Sequence, residues 1–144
     1  MPATQNYRNH RRRFPLYHLL VMPIVLVQVM ITGVELVRSP TLSNAWHCLF
    51  AIGVAAGFVA ARTMVLTVQT RLIGLEMRLR LAAVLPPDLC ARIPELPLRH
   101  LVALRFAGDA ELPDLVGRCL AGELRTADEV KQQIQHWRAD FVRA

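Results

Sequence analysis

The side chains that could do chemistry in this chain are few and scattered. His18 and His47 stand at the starts of two apolar stretches, and histidines on neighbouring membrane helices can bind a haem iron axially. Glu35 is a carboxylate within the first stretch, a residue type that relays protons or meets a cation inside membranes. Gln28 sets an amide near the middle of the same stretch, where it would seek a partner across a helix interface. Cys48, Cys90 and Cys119 are the only thiols. Glu95, Asp109, Glu111 and Asp114 gather around His100 in the second half of the chain.

The elements that must position these groups follow from hydropathy. From Leu16 to Val37 the only charge is Glu35, and a bilayer core takes about 20 apolar residues in helix. A second apolar stretch from Ala45 meets its first charge at Arg62 and resumes through Leu66. An arginine one turn from an interface lays its stem along the helix and lifts its head group to the phosphates, so Arg62 marks the lower boundary. Between the stretches, Pro40, Ser43 and Asn44 suit a tight reversal and a helix start. The first stretch far exceeds the roughly 7 to 15 apolar residues of a signal peptide, and a second follows at once. The pattern therefore predicts two spans, at about residues 16–37 and 45–66, in a hairpin over 16–68.

Placing the spans disarms most of the candidate chemistry. His18 begins the first span at one face and His47 begins the second at the other, roughly 25 Å apart at the helical rise. They cannot share an iron within one copy. Glu35 lies three residues before Arg38, a spacing that lets the two pair on one helix face. His18 and Glu35 stay as residues of possible function, and Gln28 reads as a helix-packing amide. Three widely spaced cysteines suit buried free thiols better than a disulfide or zinc framework. The acids around His100 lack a nucleophile, a metal spacing or a phosphate loop, and read as caps and solvated faces. No catalytic residue, metal or cofactor is expected.

Positive charge orients the hairpin. Arg8, Arg11, Arg12 and Arg13 precede the first span, Arg62, Arg71, Arg78 and Arg80 follow the second, and the linker holds Arg38 alone. By the positive-inside rule both termini face the cytoplasm. The net charge of +6 divides unevenly. Residues 1–85 carry nine basic and two acidic side chains, residues 86–144 eight and nine. The excess sits beside the bilayer, and the distal part has no basic stripe with which to hold nucleic acid.

Within the second span Gly53 and Gly57 form a G-x-x-x-G continued by Ala61, a groove that lets another helix approach closely. Packing against the first span is the expected use, and homodimerisation or a partner helix the alternative. No proline falls between Ala45 and Pro86, so the second span should continue into the cytoplasm. Val65, Val68, Leu72, Leu75, Leu79 and Ala82 follow a heptad seam. A second stripe, Ile73, Met77, Leu81 and Val84, makes this helix apolar on two sides. A coiled coil, a helix on the inner leaflet and a helix covered by the tail all stay open for residues 69–85. Glu76 and Arg80 stand at i,i+4, and Gly74 is the weak point. Beyond Pro86-Pro87-Asp88, short helices are expected, one starting near Asp109, Glu111 and Pro113. The last opens on the capping box Thr126-x-x-Glu129 and presents Val130, Ile134, Trp137 and Phe141 on one face.

The opening Gln5-Asn6-Tyr7-x-Asn9-His10-Arg11-Arg12, followed by Pro15-Leu16-Tyr17-His18, resembles an uncharacterised bacterial membrane family, domain of unknown function 6526. The resemblance resumes at Gln69-x-Arg71-Leu72-Ile73, at Ala103-Leu104-Arg105-Phe106-Ala107 and at Trp137-Arg138-Ala139-Asp140. It implies a bacterial inner-membrane protein with two spans and a cytoplasmic helical tail, and brings no assigned activity. The expected fold is all-α: a basic flank over residues 1–15, the hairpin over 16–68, a juxtamembrane amphipathic helix over 69–85 and a small bundle of short helices over 86–144. The expected role is an interaction or accessory protein whose partners are the lipid bilayer and another protein, or itself as a homo-oligomer. The alternative is a subunit of an oligomeric membrane enzyme or transport complex.

Overall fold

The computed structural model describes Tyr7 and residues 15–140. A π-helical turn, Leu16–Val21, leads into α1 (Met22–Arg38) and α2 (Leu42–Val84). Then come α3 (Pro87–Cys90), a 3-10 turn (Ile93–Glu95), α4 (Leu98–Leu104), α5 (Leu112–Leu120) and α6 (Ala127–Gln133). Among the described residues the only strand-like pairing is one antiparallel bridge between Ala107 and Trp137. The described residues separate into two compact units, one over residues 15–66 and one over residues 67–140 with Tyr7.

The first unit is a helical hairpin. Pro23 has no N–H and its ring crowds the carbonyl four residues back. The chain meets this by changing helix type: the Met22 N–H reaches five residues back to the Tyr17 carbonyl, and Pro23 falls in the first turn of α1. The reversal is tight. Ser39 N–H bonds Glu35 O at 2.9 Å, and the Asn44 amide bonds Ser39 O at 2.8 Å. Thr41 supplies the cap, its hydroxyl accepting from Asn44 N–H at 3.1 Å. The second helix thus starts at Leu42, three residues before the apolar run that predicts it. The helical run Leu16–Arg38 and α2 are each long and apolar enough to cross a membrane, and only 6% of the most apolar stretch of each is buried.

The second unit is a small helical domain built on the C-terminal part of α2. Ile73, Met77 and Leu81 are buried in one core with Leu101, Leu104, Phe106, Leu112, Val116 and Val130. Of the two apolar stripes on this helix, the domain covers the one through Ile73, Met77 and Leu81. The heptad stripe stays out: Val68 is 67% exposed, Leu72 53%, Leu75 54% and Leu79 66%. Gly74 is not simply a weak point, because a Cβ there would overlap Leu98 Cδ1, and its bareness lets α4 sit close.

Local chemistry ends each short helix. Pro87 opens α3 and Pro113 falls in the first turn of α5. α5 closes on a Schellman motif, with Glu123 N–H on Arg118 O and Gly122 N–H on Cys119 O, Gly122 lying at φ 79. The capping box of α6 forms in full between Thr126 and Glu129.

Two expectations are corrected here. Asp109 does not cap α5; its carboxylate binds Arg80. The final helix stops at Gln133, so Trp137 is not on its face, and Phe141 lies outside the described residues. Backbone donors are satisfied elsewhere: Glu111 accepts from Gln135 N–H at 3.0 Å and His136 N–H at 3.4 Å. Phe106 O accepts from Arg138 N–H at 2.7 Å, and the Trp137 ring lies 5.2 Å from that of Phe106.

Candidate functional site

In the hairpin unit the polar groups of α1 fall on one face. Gln28, Thr32 and Glu35 are spaced by four and three residues, which stacks them along the helix. With His47, Phe50, Ala51 and Val54 of α2 they line a groove of about 520 Å³. Thr32 is buried, and its hydroxyl is spent on its own helix, donating to Gln28 O at 2.9 Å. Among the described residues no hydrogen bond joins Gln28, Glu35 and His47, and no ion pair joins Glu35 to Arg38. The expected pair is therefore replaced by a carboxylate that shares a groove with an imidazole. Such a groove offers hydrogen bonds to a polar head or to a partner side chain. It has none of the nucleophile, base and oxyanion geometry that covalent catalysis needs.

The other end of the hairpin is fixed by an aromatic and a cation. The Arg62 guanidinium lies 5.7 Å over the Tyr17 ring, and Tyr17 OH donates to Phe58 O at 3.5 Å. His18 stacks edge-on against Tyr17 at 5.1 Å. His18 and His47 belong to opposite ends of the hairpin, so the unit does not bring them together. Ala61 lines a shallow groove with Tyr17, Phe58 and Arg62.

The small-residue groove is not used as expected. A Cβ built at Gly53 or at Gly57 meets nothing within 4 Å, and both glycines are exposed. Within the hairpin part of α2, Ala51, 5% exposed, is the small residue that is buried instead. The G-x-x-x-G thus faces open space, while Ala51 lines the groove with Gln28, Thr32 and Glu35 of α1. Arg11, Arg12 and Arg13, expected to set the topology, lie outside the described residues, as does the flank around Tyr7. Tyr7 itself meets α6, its hydroxyl accepting from the Gln132 amide at 3.3 Å.

In the helical domain the organising side chain is Arg80, which no local spacing reveals. Instead of Glu76 it binds Asp109 at 2.6 Å, Ala107 O at 2.7 Å and Arg105 O at 3.2 Å. Arg105 pairs with Asp140 at 3.2 Å and lies 4.3 Å over the Phe106 ring. Glu76, Arg80, Arg105, Arg138 and Asp140 line one groove of about 460 Å³. Its charges are largely consumed in holding the domain's loops.

His100 is a core residue, 4% exposed, with Nε2 3.1 Å from Arg125 O. The nearby acids act as local partners: Glu95 pairs with Arg92, Asp114 with Arg118, and Glu111 accepts from Gly108 N–H at 2.9 Å. All three cysteines are free, but only Cys119 is buried. Burial pushes the Cys119 thiol up to about 11, against a smaller opposing pull from Arg118. Among the described residues no three His, Cys, Asp or Glu side chains come together as a metal set.

No curated protein and no solved structure matches this chain. One family model does, over residues 1–144, and it carries no assigned activity. The chain belongs to the family of unknown function DUF6526.

Proposed function

We propose that this chain is a membrane-anchored interaction module. The hairpin of α1 and the first part of α2 spans a bacterial inner membrane, and the helical domain stands in the cytoplasm to bind another protein. The observation that carries this reading is the exposure of the hairpin. Leu19 is 74% exposed, Met30 63% and Val37 84%. A core helix of a soluble protein would bury such side chains, whereas a bilayer solvates them at no cost. The domain supports the second half of the reading. Its polar side chains are mostly engaged in caps and clamps, which suits a binding surface better than an active site.

Two observations test the two halves. Alkaline carbonate washing of membranes should leave the full chain in the pellet. Photocrosslinkers at exposed sites of the domain should capture a discrete protein product in native membranes. Release by carbonate would refute the anchor, and a domain that crosslinks to nothing would refute the interaction role.

The groove of Gln28, Glu35 and His47 favours a second reading, a subunit of an oligomeric membrane enzyme or transport complex. Polar side chains facing lipid are expensive unless another chain covers them. A crosslinker at Gln28 that captures a second membrane protein would support it, and labelling by lipid alone would oppose it.

A further inference from the structure

The C-terminal part of α2 has two apolar sides, and the domain covers only one. Helical geometry turns each residue by about 100°, which places Leu72, Leu75 and Leu79 roughly opposite Met77 and Leu81. Met77 and Leu81 are 3% and 0% exposed, while Leu72, Leu75 and Leu79 are 53%, 54% and 66% exposed. In the proposed topology the second span ends near Leu66, so these leucines lie past the acyl chains and face water in one line. Their spacing is not that of a surface helix: Val65, Val68, Leu72, Leu75, Leu79 and Ala82 alternate steps of three and four without interruption.

We propose that this seam is a parallel, in-register coiled coil with a second copy of the same chain. Charge chooses the occupant and its direction. With Leu72 and Leu79 at a positions and Leu75 at d, Arg71 and Arg78 fall at g, and Gln69 and Glu76 at e. In a parallel pair each g residue faces the e residue five positions later on the other helix. Arg71 then meets the partner copy's Glu76, and the reciprocal pair forms by symmetry. An antiparallel pair would set g against g and bring Arg71 and Arg78 together. Neither Arg71 nor Glu76 forms an ion pair within the chain among the described residues, and both are exposed, Glu76 at the edge of the groove it shares with Arg80, Arg105 and Arg138. Toward the N-terminus the next seam position is Ala61, whose short side chain does not hold a second helix away, and the one after it is Phe58. Two chains inserted with the same topology also present their α2 helices in the same direction. The inference deepens the interaction-module reading by naming the partner as a second copy.

The test is disulfide trapping in the full chain, in native membranes, in a background lacking Cys48 and Cys90. Leu75→Cys sits at a d position and should crosslink to itself on mild copper-phenanthroline oxidation, giving a band at twice the monomer mass. Arg99→Cys, exposed on α4, should crosslink several-fold less. In detergent, Arg71→Glu alone or Glu76→Arg alone should weaken association about tenfold, and the double reversal should restore it. Four results would overturn the inference: a monomer at micromolar concentration, a Leu75→Cys no better than Arg99→Cys, a trapped product containing a different protein, or a double reversal that fails to rescue. The anchor can fail separately. A chain released by carbonate would refute the membrane reading while Leu75→Cys still reported on the seam.

Discussion

Single residues in the domain are set by burial and by backbone geometry, and two neighbouring glycines show the difference. Gly117 lies inside α5, and a Cβ added there would meet nothing within 4 Å, so alanine adds helix propensity without a clash. Gly117→Ala should raise stability by about 1 kcal/mol. Gly122 sits at φ 79 and closes the same helix, so Gly122→Ala should lower it by about 1–2 kcal/mol. Denaturant titration of the full chain in detergent reads both. Cys119 makes a pH prediction with a definite sign. Its folded value of about 11 lies above the reference of 9.0, so the neutral thiol is favoured by folding. The stability it gives is complete below the unfolded value and is lost as pH rises through the folded one. The melting difference between the parent and Cys119→Ala should therefore be constant to about pH 8 and shrink between about 9 and 11. A difference that stayed flat to pH 11 would contradict the burial of this thiol.

Elements were legible where the signal is local. The two apolar helices, the prolines that open α3 and α5, and the capping box of α6 depend on neighbours a few residues apart. What could not be read depends on distant partners. Two apolar stripes on α2 predict that the helix is covered, and periodicity cannot choose the stripe; Leu101, Phe106 and Val130 make the choice by closing on Ile73, Met77 and Leu81. Likewise Glu76 is the local partner for Arg80, yet Asp109, 29 residues on, takes it. The same reason cut α6 short, because Glu111 captures amides that a longer helix would have used. At this scale, Arg80→Ala should cost about 2–3 kcal/mol, since the Ala107 and Arg105 carbonyls lose a charged donor. Arg80→Lys should recover little, because an ammonium cannot span the fork. Glu111→Ala should speed hydrogen exchange at Gly108 and Gln135 while leaving α4 amides protected. Unchanged exchange would show that Glu111 does not hold the segment after α6. The G-x-x-x-G was legible as a motif but not in its direction, since small residues alone do not say which side of α2 meets α1.

The whole molecule is an apolar hairpin with a small charged domain, and its charge distribution ties the two descriptions together in one topology. The proposed topology puts the basic residues before α1 and after the apolar run of α2 on one side of the bilayer and Trp46, 62% exposed near the start of the second apolar run, at the other. The family match extends over the whole chain and leaves the activity open, so topology is what the anchored-module account stands on. The most direct measurement is a pair of reporter fusions in a bacterial host, one after residue 13 and one at the C-terminus, each with a reporter active only in the cytoplasm and one active only in the periplasm. The account predicts cytoplasmic activity from both sites. Periplasmic activity from either one would contradict it.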